Sequence, residues 1–230
     1  LVAARHMHEY GTTKEQLAEV AVSARKWAQL NPAATLRDPL TIEEVVNARM
    51  IVDPLGLLDC CMVSDGGAAM IMTRSDRAKD FPKPPVYMLG VASRTDHNII
   101  SAMPDLTETA AKASAKAAFT MAGVTTDDID VVEIYDAFTI NTILFLEDMG
   151  FCAKGEGGDF VSNGNIAPGS SLPVNTNGGG LSCVHPGMYG MFLMIEAVQQ
   201  LRGECGDRQV AEAKLAACNG NGGFLASQVT

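Results

Sequence analysis

The sequence has no cluster of basic residues and no long apolar run. Lysine and arginine together number 17, against 27 aspartate and glutamate residues, and the formal net charge is −10. Binding to a phosphate backbone depends on clustered lysine and arginine, so this pattern argues against a nucleic-acid partner. No stretch of about 18 apolar residues occurs, and Arg5, His6 and His8 directly follow the apolar N-terminal residues. We therefore expect no membrane span, no secretory signal and a soluble protein of the cytoplasm.

The sequence also lacks cysteine pairs of the metal-binding kind. Its six cysteines are scattered over 230 residues, and none forms a Cys-x-x-Cys pair. A structural zinc site is therefore not expected, and a chain of this length does not need disulfide bonds to be stable. We expect reduced thiols, with the adjacent Cys60 and Cys61 packed as small buried hydrophobic side chains. The composition, 47% hydrophobic and 19% charged, is typical of α/β globular proteins.

The N-terminal part carries two capping-box patterns, which mark helix starts. Thr12–Glu15 precedes apolar residues at helical spacing up to Asn31-Pro32, and Thr41–Glu44 precedes a shorter candidate helix. Leu1–Tyr10 has the pattern of a helix without a preceding cap, so we expect the chain to begin inside an element. Residues 50–58 hold a proline and a glycine and are expected to form a loop with a brief strand.

From residue 86 onward, strand and helix patterns alternate. This alternation predicts helices packed on a sheet that is at least partly parallel. The stretch before it is mostly helical and irregular, and the proline-containing residues 76–85 fit a hinge between two domains. The predicted strands are 68–72, 86–91, 130–135, 214–218 and 224–229, and the predicted helices are 105–121, 138–149 and 188–201, the last apolar on nearly all sides.

His185 has the most informative setting of the four histidines. It follows the glycine-rich residues 178–184 and precedes Pro186-Gly187 at the start of a predicted helix. A neutral histidine beside the free N–H groups of a helix start can donate a hydrogen bond to an oxyanion. A capping histidine on a tight turn has the same local pattern, so both interpretations stay open.

Two other segments combine turn residues with reactive side chains. Cys218 precedes the Asn-Gly-Asn-Gly-Gly run 219–223, which either forms a hairpin turn or lets the backbone approach a ligand closely. Tyr135 and Asp136 end a predicted strand, and strand ends in α/β sheets are where ligands bind. From spacing alone, however, Asp136 is favoured as the N-cap of the following helix.

In this order, the three segments resemble the motifs of the thiolase superfamily. In that family a strand ends in an Asn-Glu-Ala-Phe-type motif, a Gly-His-Pro turn leads into a buried helix, and a Cys-x-Gly turn joins the last two strands. Residues 58–66 resemble the Cys-Cys-x-x-Ser-Asp-Gly segment of the sterol carrier protein x type thiolases and the bacterial lipid-transfer-protein thiolase-like proteins, and residues 201–210 resemble their helix end. The resemblance covers essentially the whole chain.

The resemblance implies an α/β, thiolase-like fold, with helices packed on a mixed five-stranded sheet and a mostly helical inserted loop domain. Residues 1–75 would then form the end of the N-terminal half and the loop domain, and residues 76–230 the C-terminal half. It also implies a homodimer and places the nucleophilic cysteine in the first half, upstream of Leu1. The chain alone is therefore expected to be inactive.

For the site, the resemblance implies that His185 activates the nucleophile and helps to form an oxyanion hole for the thioester carbonyl. Asp136 matches the Glu of the Asn-Glu-Ala-Phe motif, and Tyr135 stands at the position of its Asn. Cys218 matches the acid/base cysteine, unless the register places Asn219 there. The residues implied to contact coenzyme A are Cys61, Ser64 and Gly220.

Departures from the family motifs favour a second chemistry. Val184 replaces the Gly of Gly-His-Pro, and Ala137 replaces the cysteine of the sterol-carrier His-Asp-Cys-Phe motif. Tyr135 and Tyr189 then become candidate acid/base groups for a retro-aldol cleavage, which needs a base and an enolate-stabilising hole but no nucleophile. Some thiolase-like relatives resemble lyases of steroid side chains that work with a small zinc and OB-fold partner protein.

Three functional hypotheses follow from these residues and this resemblance. The first is an acyltransferase that performs 3-ketoacyl-CoA thiolysis or condensation, with coenzyme A as a substrate and with no permanently bound cofactor or metal. The second is a thiolase-like retro-aldol lyase acting on lipid or steroid CoA thioesters. The third is a non-catalytic subunit that binds coenzyme A or a lipid.

Overall fold

The N-terminal third consists of helices and one short hairpin in the computed structural model, which describes residues 1–230. The capping box Thr41–Glu44 is confirmed, and the brief strand expected nearby is one of two that pair antiparallel. Leu17, Val20 and Ala24 of the longest helix belong to the main hydrophobic core. The elements are α1 (Val2–Tyr10), α2 (Lys14–Gln29), α3 (Ile42–Val46), β1 (Met50–Val52) and β2 (Leu55–Gly56).

The first capping box lies one residue later than the sequence pattern predicted. The Thr13 hydroxyl accepts the backbone N–H of Gln16 at 3.2 Å, and the Gln16 side chain accepts the N–H of Thr13 at 3.0 Å. Thr12 cannot serve as the cap because its hydroxyl is buried and lies 2.8 Å from Nδ1 of His6. A tertiary contact thus decides which of two adjacent threonines begins α2.

The main sheet is mixed, with four strands in the order β3-β6-β5-β4. Only β4 and β5 are parallel, and the other neighbours are antiparallel. Five strands were expected, and the fifth position is reduced to a single parallel bridge between Val132 and Val174. The strands are β3 (Ser93–Thr95), β4 (Val131–Ile134), β5 (Ala216–Gly222) and β6 (Ser227–Val229).

Helices pack on this sheet as the alternating pattern predicted. The helix expected from residue 105 begins only at Ala111, because Thr107 first donates its N–H to Oδ1 of Asp105 in a local turn. The helix expected at 188–201 is buried only along one face, at Leu193, Glu196, Ala197 and Gln200, and two of these four side chains are polar. These helices are α4 (Ala111–Ala122), α5 (Thr139–Met149), α6 (Gly157–Val161) and α7 (Gly190–Leu201), of which α7 packs on β4 and β5.

Two predicted strands are wrong. Residues 68–72 are extended but belong to no sheet, and Ile71 is 83% exposed. Residues 86–91 are also unpaired, and the sheet begins at β3. At Gly90 the backbone lies so close to α4 that a β-carbon would come within 2.2 Å of the carbonyl oxygen of Ala118. A strand needs a neighbouring strand to satisfy its N–H and C=O groups, and the apolar pattern alone does not supply one.

The predicted hairpin turn at residues 219–223 is also displaced. Residues 219–222 belong to β5, where Asn221 pairs with Gln228 of β6. The turn follows at residues 223–226, where Gly223, Phe224 and Leu225 all have positive φ values of 53–68°. The second interpretation of the Asn-Gly run, a backbone that approaches another segment closely, therefore becomes the relevant one.

The expectations drawn from composition can be compared with the structure directly. All six cysteines are free thiols, and Cys60 and Cys61 are half-buried rather than buried. None of the helices combines the length and the apolar character that crossing a bilayer would require. No three histidine, cysteine or acidic side chains are arranged to hold a metal ion.

Candidate active site

The fold brings predicted residues of two distant segments into one aromatic cluster. The ring of His185 lies 5.2 Å from that of Tyr135, edge to face, and 5.8 Å from that of Tyr189, nearly stacked. The two tyrosine rings are 5.9 Å apart. Tyr135 comes from the end of β4, His185 from the glycine-rich turn, and Tyr189 from the residue before α7. We call these three side chains the His185 cluster.

Asp136 anchors the glycine-rich turn and does not cap α5. It is completely buried, and its carboxylate accepts the N–H of Gly180 at 2.6 Å and that of Leu181 at 3.4 Å. The N-cap position of α5 is held by Phe138, which makes no capping bond, so the capping role favoured by spacing is wrong. Burial raises the pKa of Asp136 to about 7, although the backbone N–H groups act in the opposite direction.

Two glycines are needed in this turn because the packing leaves no room for a side chain. A β-carbon at Gly179 would lie 2.0 Å from Oδ2 of Asp136, and one at Gly180 would lie 2.7 Å from Cδ2 of His185. Gly179 also has φ +67°, which glycine adopts without strain. The glycine run is therefore explained by the close approach of Asp136 and His185 rather than by loop flexibility.

His185 is held by its backbone, and one of its ring nitrogens has no partner in the chain. Its N–H donates to Oγ of Ser64 at 2.8 Å, and its ring is half-buried with an Nε2 atom that has no hydrogen-bond partner in the chain. Burial lowers the pKa of His185, so the imidazole is neutral at pH 7. The capping interpretation is wrong, because α7 begins five residues later, at Gly190, and has no side-chain cap.

The two tyrosines of the cluster differ in what their hydroxyl groups do. Tyr189 is completely buried and donates its hydroxyl proton to Oδ1 of Asn177 at 2.9 Å. Tyr135 donates only a long bond of 3.4 Å to the carbonyl of Gly187. Burial raises the pKa of both phenols, so both are protonated at neutral pH. Of the two, Tyr135 has the hydroxyl that is more readily available to a ligand.

Cys218 and Gly220 lie on the face of β5 that looks toward α7. Cys218 pairs with Glu133 of β4, and a β-carbon added at Gly220 would lie 3.9 Å from Cα of Gly190, which directly follows Tyr189. Asn219 points to the other face, where its amide bonds side chains of β6 and the residue after it. Burial strongly raises the pKa of Cys218, so this side chain is a thiol rather than a thiolate.

Cys61 and Ser64 lie in a stretch without helix or strand that borders the cluster. Cys61 donates its N–H to the carbonyl of Ala137 at 2.9 Å, and the next N–H, that of Met62, donates to Gly180 at 3.1 Å. Ser64 receives the N–H of His185. Burial, with a smaller effect from the Asp136 charge, raises the pKa of the Cys61 thiol to about 11. Seven of the eight predicted site residues thus lie around the end of β4 and the glycine-rich turn, and Cys218 lies beside Glu133 within the neighbouring strand.

Sequence reasoning missed the polar residues that hold the cluster in place. Asn177 accepts the N–H of Gly179 at 2.8 Å in addition to the Tyr189 hydroxyl. Asn175 accepts the N–H of Ile134 at 2.6 Å. The signal was present as the run Val-Asn-Thr-Asn directly before three glycines, since such a concentration of short polar side chains needs buried partners.

Surface cavities occur elsewhere on the molecule. One of about 380 Å³ lies between Arg5, Glu9 and residues 103–106. Another, of about 250 Å³, lies between Arg94, His97 and residues 103–105 and 108–110. None of their lining residues belongs to the His185 cluster. The cluster is recognised by its geometry and its free imidazole nitrogen, not by the size of a pocket.

Comparison with known proteins shows which family the chain resembles. The model of the family described as "Thiolase C-terminal domain-like" matches residues 92–230. An acetyl-CoA acetyltransferase of Methanothermobacter thermautotrophicus is 43% identical over 225 residues, which are 97% of this chain and 59% of that protein. A steroid side-chain-cleaving aldolase of Thermomonospora curvata is 38% identical over 214 residues, which are 88% of this chain and 53% of that protein.

Solved structures show the same fold over the whole chain. A structure titled "Ltp2-ChsH2(DUF35) aldolase" superposes with a TM-score of 0.92 and 35% identity, covering 99% of this chain and 60% of that one. A monomeric SCP2-thiolase like protein of Mycobacterium smegmatis superposes with a TM-score of 0.77 and 22% identity, covering 100% of this chain and 49% of that one, which shows likeness of fold alone. The chain spans between about half and three fifths of the length of these relatives.

Proposed function

Because the chain belongs to the thiolase C-terminal domain-like family, we propose that it supplies the histidine-bearing part of an acyl-CoA acyltransferase site. The reaction is thiolysis of a 3-ketoacyl-CoA or the reverse condensation. The observation that carries this proposal is the free, buried Nε2 atom of a neutral His185, fixed between two aromatic rings at the end of β4. The similarity to an acetyl-CoA acetyltransferase over nearly the whole chain supports it.

The geometry supports a specific division of tasks between two residues. A neutral His185 takes the proton of a nucleophilic thiol and, once protonated, donates a hydrogen bond to the oxyanion of the thioester carbonyl. In thiolysis the thiolate attacks the 3-keto carbon, the C2–C3 bond breaks, and the electron pair passes to an enolate. Cys218, which burial keeps as a thiol, gives the enolate carbon its proton. The thiol of coenzyme A returns a proton to Cys218, and its thiolate attacks the acyl carbonyl. The nucleophilic thiolate then leaves and takes back the proton held by His185.

The remaining parts of the site are proposed from the family resemblance. The nucleophilic cysteine belongs to a part of the full-length protein outside residues 1–230, so the chain alone is inactive. Coenzyme A is a substrate that contacts Cys61, Ser64 and Gly220, and no permanent cofactor is needed. A homodimer, a cytoplasmic location and a boundary between residues 75 and 76 stay predictions.

A turnover assay on the full-length protein tests this proposal. The substrates are a 3-ketoacyl-CoA with free coenzyme A, and the products are measured as two shorter acyl-CoA thioesters. We expect thiolysis by the full-length protein and none by residues 1–230 alone. Turnover by residues 1–230 would overturn the placement of the nucleophile, and the absence of thiolysis by the full-length protein would overturn the acyltransferase assignment.

A retro-aldol lyase is the second candidate, and the Tyr135 hydroxyl is the observation that favours it. This hydroxyl makes only one long bond and belongs to a ring 5.2 Å from the neutral imidazole, so an acid and a base face one site. When a base removes the β-hydroxyl proton of a 3-hydroxyacyl-CoA, the C2–C3 bond breaks and an enolate is released. No acyl-enzyme is formed. The similarity to a steroid side-chain-cleaving aldolase supports this candidate.

A second assay separates the lyase from the acyltransferase. The full-length protein is given a 3-hydroxyacyl-CoA, alone and with a small zinc and OB-fold partner protein, which we propose because the similar solved aldolase has two named components. Cleavage that is lost in Tyr135→Phe supports the lyase. Cleavage that Tyr135→Phe leaves unchanged contradicts the role of this hydroxyl. Silence on both substrates favours a non-catalytic subunit that binds coenzyme A or a lipid.

A further inference from the structure

A buried pair of glutamates lies behind the His185 cluster. Glu133 of β4 is completely buried and Glu196 of α7 is 3% exposed. The hydroxyl of Thr176 lies between them, 2.8 Å from Oε1 of Glu133 and 2.7 Å from Oε1 of Glu196. The amide Nε2 of Gln200 lies 2.9 Å from the same hydroxyl oxygen. Three polar groups therefore converge on one hydroxyl group.

The Thr176 hydroxyl lies within hydrogen-bond distance of two carboxyl groups but has only one proton, which indicates that one glutamate is neutral. The Gln200 amide can only donate to Oγ1 of Thr176, and the hydroxyl has a single proton to give to one carboxylate. The contact with the other carboxyl group is a hydrogen bond only if that group carries its own proton. Arg208 pairs its guanidinium with Glu196 through bonds of 2.9 and 3.1 Å, whereas Glu133 makes no ion pair.

We propose that Glu133 is a neutral carboxylic acid whose proton holds Thr176 between β4 and α7, and that it acts as a positioning residue for His185 and Tyr189. As an account of catalysis, this inference rests on the proposed function. Thr176 also donates its backbone N–H to Glu133 at 3.2 Å, so two bonds fix it. Its neighbour Asn177 binds the Tyr189 hydroxyl and the turn that carries His185.

The surroundings of Glu133 explain why the neutral form is stable. Burial raises the pKa of Glu133 well above its ordinary value of 4.5, and the Glu196 charge acts in the same direction. Its second oxygen, Oε2, is buried without a partner, which a carbonyl oxygen tolerates better than a carboxylate. The titratable groups that face it are Glu196, Asp136, Tyr189, Cys183, Cys205 and Cys218.

Two spectroscopic readouts on the full-length protein test the proposal without using turnover. The first is the infrared carbonyl stretch of a protonated carboxylic acid, obtained as the difference between the wild type and Glu133→Gln and followed with pH. The second is the set of NMR signals of the His185 imidazole, compared between the wild type, Thr176→Val and Thr176→Ser. The exposed Glu15→Gln is the matched control for the infrared experiment.

We expect an infrared band that is absent from Glu133→Gln, unchanged in Glu15→Gln, and still present in the wild type well above pH 4.5. The His185 signals should shift in Thr176→Val and return to their wild-type positions in Thr176→Ser, which restores the hydroxyl. Loss of the band near pH 4.5 would overturn the neutral Glu133, whatever reaction the protein performs. Identical His185 signals in all three Thr176 forms would overturn the positioning role. Failure of the acyl-CoA assays alone would affect only the proposed function.

Discussion

The site around the His185 cluster and residues 68–72, which we call the extended segment, show opposite outcomes of similar sequence patterns. Both contain short apolar runs next to glycines. In the site around the cluster, Tyr189 and Asp136 are completely buried and bonded to neighbouring elements. In the extended segment, Ile71 is 83% exposed and no strand pairs with residues 68–72.

The difference shows that non-local hydrogen bonds decide whether an apolar run becomes part of a folded site. Val132 of β4 has β5 on one side and Val174 on the other, so both its N–H and its C=O find partners. Ile71 has a similar side chain and a comparable propensity for β-structure, but it belongs to no sheet and has no neighbouring strand. Sequence patterns report the side-chain preference, whereas the available neighbours determine the structure.

The largest expected effect concerns the catalytic imidazole. We expect His185→Ala to lower kcat/KM of the full-length protein by about 10²–10⁴-fold, because a general base and oxyanion donor is removed. The exposed His8→Ala is the matched control and should retain wild-type kcat/KM. An assay on the 3-ketoacyl-CoA measures both. Equal activity of His185→Ala and the wild type would place the chemistry outside the cluster.

The second effect concerns the buried carboxylate that anchors the turn. The raised pKa of Asp136, about 7, means that the folded chain binds its proton more tightly than the unfolded chain does. This contribution to stability is fully present below pH 3.8 and is lost as the pH rises to about 7. Asp136→Asn does not titrate, so its free energy of unfolding relative to wild type should rise over this window, by on the order of 4 kcal/mol.

Urea unfolding of the 230-residue chain at several pH values measures this difference. The exposed Asp127→Asn is the control, and its difference from the wild type should not vary over the same pH window. A pH-independent difference for Asp136→Asn as well would show that Asp136 keeps its ordinary pKa and that burial does not dominate at this carboxyl group.

The third effect separates steric conflict from backbone strain in the glycine turn. Gly179→Ala places a β-carbon against Asp136 and also needs a positive φ, so we expect a loss of about 3–4 kcal/mol in stability. Gly169→Ala has a positive φ but open space, and should cost only about 1–2 kcal/mol. Thermal or urea unfolding compares the two. Equal costs would mean that the close approach of Asp136 is not needed.

The smallest effect is expected in the extended segment. Ile71→Ala in the 230-residue chain should change the free energy of unfolding by no more than about 0.5 kcal/mol, because the side chain has few contacts to lose. Ile143→Ala, in the completely buried centre of α5, should cost about 2–5 kcal/mol. A loss of similar size at Ile71 would show that the extended segment is packed in solution and would remove the contrast between the two regions.

The sequence predicted the parts of the fold whose signals are local. The helices at α2, α5 and α7 and the strand β4 were all found from spacing and capping. Several wrong or displaced elements depended on a contact outside the predicted element, although the late start of α4 follows from the local turn between Asp105 and Thr107. Thr12 lost its capping role to a bond with His6, and residues 219–222 became strand because β6 and β4 lie beside them.

The candidate site was predictable as a set of residues but not as a network. His185, Tyr135 and Tyr189 were identified and do meet in one cluster. The role of Asp136 was not evident because it binds a backbone N–H group more than 40 residues away in the chain. The role of Asn177 was not evident either, although the backbone N–H group that it binds is only two residues away. Side-chain chemistry is visible in a sequence, whereas the bonds that orient it depend on the completed fold.

The pH dependence of kcat/KM for the full-length protein tests the central claim, that a neutral His185 is the base of the site. A base must be unprotonated to act, and burial lowers the pKa of His185 from its ordinary value of 6.5. The account predicts an acid limb with its midpoint below pH 6.5, which disappears from the residual activity of His185→Gln. A midpoint above pH 6.5, or an acid limb that survives in His185→Gln, would contradict it.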